Sequence, residues 1–202
     1  MADRKAIRFL KQDPKLAKLI ERVGDYKIKK RRNHFATLVE AIISQQLASS
    51  AAEAILRRFK KLYPKFPKPV QILSTKDSML RSAGLSKMKI EYLKDLAKKV
   101  ERGQIKIKTL SKMNNDEIIS QLTQVKGIGR WTAEMFLIFS LGRQDILPVG
   151  DLGLRKGVQM AFSLPELPKP KEVEEIGMRW KPYRSVATWY LWKSLQKFDN
   201  IG

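Results

Sequence analysis

A glycine hairpin inside an otherwise helical stretch constrains this chain more than any other feature. Over residues 116–124, Ile118, Ile119 and Leu122 recur at helical spacing. Val125-Lys126-Gly127-Ile128-Gly129 then sets two glycines one residue apart, too tight for the helix to continue. Glycine enters φ > 0 without a Cβ clash, so a hairpin is predicted here. A second helix is predicted over 130–141, apolar on nearly every face and therefore buried. Helix, tight hairpin and helix together release backbone N–H groups at the turn. Such groups at a helix N-terminus are a ready site for a phosphate oxygen.

An irregular segment, 143–150, follows Gly142, and Asp151 then opens another predicted helix. Gly150 and Gly153 flank that carboxylate and leave room for a bulky ligand to come close. An aspartate at a helix start is ordinarily an N-cap. A cap can also be a catalyst, so both readings stand.

Charge narrows the partners. Lys and Arg number 41 against 20 Asp and Glu, a net +21 with a pI near 10.2, which calls for a polyanion, nucleic acid first. No apolar run reaches the roughly 18 residues that span a bilayer, and no secretory h-region opens the chain, so no membrane partner or leader is expected. With no cysteine, disulfides, Cys-ligated zinc and iron–sulfur clusters are excluded together. The single histidine, His34, cannot supply a His-based metal site or a Ser/His triad and is read as a packed or capping residue. At 202 residues the chain makes one large domain or two small ones.

Asp13-Pro14 marks a helix start, with Leu16, Leu19, Ile20 and Val23 as its apolar stripe and Gly24 as its end. A basic connector follows, carrying Lys27, Lys29, Lys30, Arg31 and Arg32; it is either a solvated linker or a phosphate contact. Asn33 caps the next helix, whose stripe is Phe35, Leu38, Val39, Ile42, Ile43 and Leu47. Ser44, Gln45 and Gln46 then make a polar corner before Ser49-Ser50 restart a helix. There, Leu47 reads either as core or as a leucine standing on an exposed corner. Prolines at 64, 67 and 69 mark a loop, with short helices expected over 70–73 and 77–83. A longer helix begins at Ser86, and its Lys87, Lys89, Lys94, Lys98 and Lys99 read as a solvated face. Ile105 to Lys108 alternate apolar and basic, too briefly to establish a strand. After a second proline loop and a helix over 172–176, the last helix carries Tyr183, Val186, Ala187, Tyr190, Leu191, Ser194 and Phe198 on one face. At ~100° per residue Trp192 lies on the opposite side from Tyr183, so it packs on a second element or lines a cavity.

Three blocks in fixed order carry a family resemblance. FATLVEAIISQQLASSAAEAI stands near the front, KGIGRWTAEMFLIFSLGR with LPVGDLGLRKG in the middle, and WKPYRSVATWYLW near the end. Together they cover roughly residues 33–198 and strongly resemble the helix-hairpin-helix DNA glycosylase superfamily, in its alkylation-repair branch of the 3-methyladenine DNA glycosylase II type. The resemblance implies an all-α, two-lobed helix-hairpin-helix DNA glycosylase fold with the active-site cleft between lobes. One lobe is expected over 34–145 and the other over 1–33 plus 146–202.

The same resemblance implies residue roles. Asp151 matches the catalytic carboxylate. Trp131 and Trp192 match aromatic positions of the base pocket, although Trp131 read by itself is also explained by packing next to Phe136. Met135 stands where a pocket tyrosine is common, and Gly150 where a second acid is common. Gln46 or Leu47 matches the side chain that enters the duplex where the damaged base leaves. Lys126, Gly127, Gly129, Arg130 and Thr132 form the expected phosphate grip, which positions DNA without reading its sequence. Main-chain carbonyls of Thr123, Val125 and Ile128 match ligands for a structural Na+ or K+; no cofactor is otherwise required. Trp131 occupies the position of the Schiff-base lysine of bifunctional relatives, so no lyase step is expected.

The expected activity is therefore monofunctional hydrolysis of the N-glycosidic bond of alkylated purines (3-methyladenine, 7-methylguanine type) in double-stranded DNA, as base excision repair. A non-catalytic DNA-binding module, or a glycosylase for other damaged or mismatched bases, is the alternative. The partner is damaged duplex DNA, the protein is expected to act as a monomer, and its compartment is that of the genome: cytoplasmic and nucleoid-associated in a prokaryote, nuclear in a eukaryote.

Overall fold

The computed structural model describes residues 2–28 and 31–198, and every regular element among them is a helix. Lys29 and Lys30 of the basic connector and the side chain of Phe198 lie outside the described residues. The first seven helices are α1 (Ala2–Leu10), α2 (Pro14–Val23), α3 (His34–Ser44), α4 (Ser49–Lys61), α5 (Pro69–Ser74), α6 (Asp77–Ser82) and α7 (Lys87–Glu101). The rest are α8 (Asn115–Leu122), α9 (Arg130–Phe136), α10 (Leu152–Phe162), α11 (Pro170–Gly177) and α12 (Arg184–Phe198). The chain divides into two compact units, residues 1–30 with 137–202, and residues 31–136.

The second boundary is expected at 145/146, whereas residues 137–145 group with the unit that holds the carboxy-terminal helix. Hydrogen bonds give the reason. Arg184 donates from Nε and Nη2 to the Asp145 carboxylate at 2.6 and 3.0 Å. The Ser185 amide donates to the Gln144 carbonyl at 2.9 Å, and the Ile146 amide donates to Ser185 Oγ at 2.8 Å. The helix expected over 130–141 is also divided: α9 ends at Phe136, and Leu137–Leu141 is a π-helical turn.

In the first unit, α12 packs against α1, α2 and α10. Val186, Ala187, Tyr190 and Leu191 of α12 are buried with Leu16, Leu19 and Ile20 of α2. Asp13 caps α2 as its sequence predicts, accepting from the amides of Lys15 at 2.9 Å and Leu16 at 3.4 Å. Its second oxygen accepts from Nε1 of the fully buried Trp180 at 3.1 Å. One carboxylate thus starts a helix and satisfies an indole that would otherwise be buried without a partner. The helix α1 is not anticipated by the sequence reading. Its charged residues mask the pair Ala6 and Leu10, which are wholly buried in this core.

In the second unit, α3 buries Leu38, Val39, Ile42 and Ile43 and packs against α4, α7 and α9, while α7 also packs on α5 and α6. Asn33 caps α3, accepting from the Ala36 amide at 3.0 Å. Asn114 and Glu117 close a reciprocal capping box on α8, both bonds at 2.9 Å. His34 is a packed residue, edge-on to Phe136 at 5.7 Å between ring centres. Burial lowers its pKa below the usual histidine value. Residues 105–108 make turns rather than a strand: Ile105 is buried and the Thr109 amide reaches back to the Lys106 carbonyl at 2.9 Å.

Replacing Asp13 with alanine removes both duties of that carboxylate. Urea unfolding should show a loss of about 1.5–4 kcal/mol, from the missing cap and the unpaired indole N–H. A loss below about 0.5 kcal/mol, the floor for a cap alone, would contradict this account.

Candidate active site and DNA-binding hairpin

The hairpin between α8 and α9 is anchored by two apolar residues, Val125 and Ile128, which are 2% and 3% exposed. Between them Gly127 turns the chain at φ 79°, in the left-handed region. A Cβ there would also lie 2.1 Å from the edge of the Tyr92 ring, so both conformation and contact favour glycine. Gly129 differs: its φ is not positive and its surroundings are open. Only the first of the two glycines makes the turn.

Side chains of α7 brace this hairpin. Asp95 Oδ2 accepts from the Lys126 amide at 2.8 Å, and Lys99 Nζ donates to both oxygens of Asp95 at 2.6 Å. Burial pushes the Asp95 carboxyl up. Hydrogen bonds from Lys99 and the Lys126 amide, with the charges of both lysines, outweigh burial and hold it below its ordinary value. One turn earlier Glu91 pairs with the Lys126 ammonium and raises its pKa. The hairpin amide at 126, expected to be released, is therefore already taken by a carboxylate. Arg130 is exposed, with its Nε on Glu134 Oε1 at 3.0 Å. Thr132 is buried and lines a pocket rather than standing on the surface with Lys126, Gly127, Gly129 and Arg130.

That pocket, about 630 Å³, lies wholly within the second unit. Trp131, Met135, Met88 and Tyr92 supply its apolar walls, and Lys89, Thr132 and Gln46 its polar ones. Trp131 is 51% exposed, which sets aside the core-packing reading. Gln46 is exposed at the corner after α3 with φ 54°, a conformation uncommon for a residue with a Cβ. Next to it Leu47 is exposed, not core. Gln45 ties the corner to the hairpin, donating from Nε2 to the Gly127 carbonyl at 2.7 Å.

Lys89 corrects the sequence reading most sharply. Assigned to a solvated face, it is 8% exposed, and its Nζ donates to the Ile43 carbonyl at 2.7 Å. Burial lowers its pKa. The signal was in the helix register: residue 89 falls on the same stripe as Leu93, Leu96 and Val100, where a charge is out of place. Tyr92 flanks that stripe, whereas Glu91 and Asp95, the other residues of α7 at the hairpin, carry no such signal in the sequence.

In the other unit the structure joins Asp151 to Trp192. Asp151 caps α10, with Oδ1 accepting from the Leu154 amide at 2.6 Å, and the same oxygen accepts from Trp192 Nε1 at 2.7 Å. Acid and indole are in direct contact, so the off-stripe Trp192 packs on a second element through Asp151 and Phe139. The half-buried indole stacks on Phe139, ring centres 5.8 Å apart and planes 19° from parallel. A Cβ at Gly153 would lie 3.1 Å from Asp151 Oδ1 and from the Trp192 ring, so this glycine keeps a side chain off the pair. The flanking Gly150 is open.

Of the three hairpin carbonyls, that of Val125 accepts from the Ile128 amide at 3.0 Å, leaving a second lone pair on that oxygen. Among the described residues, no group of three or more His, Asp or Glu is placed to hold a metal ion, and no helix is long and apolar enough to cross a membrane.

Residues 39–182 match the HhH-GPD superfamily of base excision DNA repair proteins, and this chain belongs to that superfamily. A DNA-3-methyladenine glycosylase of Schizosaccharomyces pombe is 38% identical over 193 residues, 93% of this chain and 85% of the relative. A solved S. pombe 3-methyladenine DNA glycosylase in complex with abasic DNA superposes with a TM-score of 0.85 at 38% identity, covering 95% of this chain and 97% of that one. A DNA-3-methyladenine glycosidase from Bacillus halodurans gives 0.86 at 39% identity, over 96% and 89% of the two chains.

Asp95→Ala should cost about 1.5–3 kcal/mol at neutral pH, the scale for hydrogen bonds to a charged group. Because the folded carboxyl titrates below its ordinary value of about 3.9, its contribution is complete above that value and is lost as pH falls through the depressed one. The stability gap between wild type and variant, followed by urea unfolding, should therefore close on acidification. A gap independent of pH would contradict the brace.

Proposed function

We propose that this chain hydrolyses the N-glycosidic bond of purines alkylated at a ring nitrogen in double-stranded DNA, leaving an abasic site. It is an alkylbase DNA glycosylase of base excision repair. The observation that carries the reaction is the Asp151 carboxylate, held at one oxygen by both a helix amide and an indole N–H.

The base must leave the stack before its bond to the sugar is accessible, at a cost of a few kcal/mol. Gln46 or Leu47, both exposed on the corner after α3, is assigned to fill the space it vacates. The net charge of +21 and the hairpin residues Lys126, Gly127, Gly129 and Arg130 are assigned to hold the phosphates, with Thr132 beside them on the pocket wall. Cleavage builds positive charge on the sugar. A carboxylate next to it stabilises that charge and can orient or deprotonate the attacking water. We assign Asp151 to this role.

A purine alkylated at a ring nitrogen is cationic and already a good leaving group, so an electron-rich surface serves it better than a strong general acid. Trp131, Trp192 and Met135 are the side chains we assign to the base, and a cation on a tryptophan face is worth roughly 0.5–2 kcal/mol. Trp131 at the position of the bifunctional relatives' lysine supports hydrolysis without a lyase step. The carbonyls of Thr123, Val125 and Ile128 are proposed to accept a Na+ or K+ that stiffens the hairpin and takes no part in chemistry.

Asp151→Asn keeps a side-chain oxygen for the Leu154 amide, so the fold should survive. Single-turnover excision from a duplex carrying one alkylated purine should fall by about 10²–10⁴-fold, the scale of a positioned base, with binding to abasic DNA little changed. Undiminished excision would refute the role given to Asp151. Borohydride added to wild type on abasic DNA should trap no covalent complex; a trapped adduct would reveal an amine nucleophile and a lyase step.

A further inference from the structure

The corner after α3 is closed from behind by a residue of α7. In the last turn of a helix the carbonyls have no amide partner within the helix and carry its partial negative charge. The Ile43 carbonyl is one of these, and α3 has no basic residue in its own last turn. Lys89 supplies the missing charge from outside, buried and 2.7 Å from that oxygen. Two residues further on, Gln45 is tied to the Gly127 carbonyl at 2.7 Å. Immediately after both ties comes Gln46 at φ 54°. A left-handed residue with a Cβ is strained and persists only where its surroundings over-determine it. The two ties are such surroundings: one fixes the end of the helix, the other fixes the chain just before the bend.

We propose that Lys89 is a positioning residue for base extrusion, its ammonium anchoring the end of α3 so that Gln46 and Leu47 are held rigidly beside the hairpin. This rests on the glycosylase reading above. A side chain that displaces a nucleotide must have a stiff backing, or strain relaxes into the protein instead of the duplex. Lys89 therefore acts through Ile43 and the corner, its ammonium spent on the Ile43 carbonyl. Its effect must be greatest where extrusion is hardest.

The test compares one alkylated purine in two settings, fully paired and opposite an abasic-site analogue, where no partner base opposes its departure. Lys89→Met keeps length and apolar volume but removes the charge and donor. Single-turnover excision from the paired duplex should fall by about 10–100-fold, the equivalent of a lost charged hydrogen bond, while excision opposite the gap stays close to wild type. Lys89→Arg should restore part of the paired rate. Should Lys89→Met fail to fold, Lys89→Gln, which keeps a donor without charge, carries the same comparison. Equal losses on both substrates would mean a merely structural lysine and overturn the proposal, as would no loss on either. A wild-type protein that releases no base from either duplex would overturn the glycosylase reading and this inference with it. An active wild type whose paired-to-gapped ratio is unmoved by Lys89→Met overturns the role of Lys89 alone.

Discussion

An α-helix cannot satisfy its own first amides or its last carbonyls, and in a chain built from short helices this shortfall recurs every dozen residues or so. Each end must find a partner from elsewhere, because an unpaired buried backbone group costs as much as a lost hydrogen bond. The residues that answer this need here include those with a second task. Asp13 begins α2 and receives the Trp180 indole. Asp151 begins α10 and receives the Trp192 indole. Lys89 ends α3 from across the unit. Asp95 takes the amide at the entrance to the hairpin turn.

This arrangement makes the catalytic role proposed for Asp151 compatible with its structural one. A cap is among the few positions where a carboxylate is fixed by backbone geometry rather than by its own flexible side chain. Adding the indole N–H on the same oxygen removes a further rotation. Gly153, without a Cβ to press on either group, lets the two meet. Pre-organisation of this kind is worth more to a reaction than the acid's intrinsic strength, since the group need not reorganise as charge develops.

The sequence made the hairpin, most helix starts and the cap at Asp151 legible, because these depend on local chemistry: Gly127 at a turn, Asp13, Asn33 and Ser86 before apolar stripes. It did not make legible what depends on contact between distant segments. Lys89 read as one of several lysines on a soluble face, since its partner, the Ile43 carbonyl, is 46 residues away and has no side-chain signature. The amide of Lys126 read as released because nothing nearby in sequence predicts Asp95, 31 residues earlier, beneath it. Gly129 looked like a second turn residue only because glycine is equally written whether or not its φ is used. The helix α1 was hidden by charges that surround Ala6 and Leu10.

The central claim is that this protein breaks bonds in DNA rather than only holding it. Incubating the purified chain with methylated duplex DNA and analysing the small-molecule fraction by mass spectrometry tests that claim most directly. Free 3-methyladenine and 7-methylguanine should accumulate with time, while the strands stay intact until alkali cleaves them at the new abasic sites. Tight binding of the same DNA with no base released would contradict it.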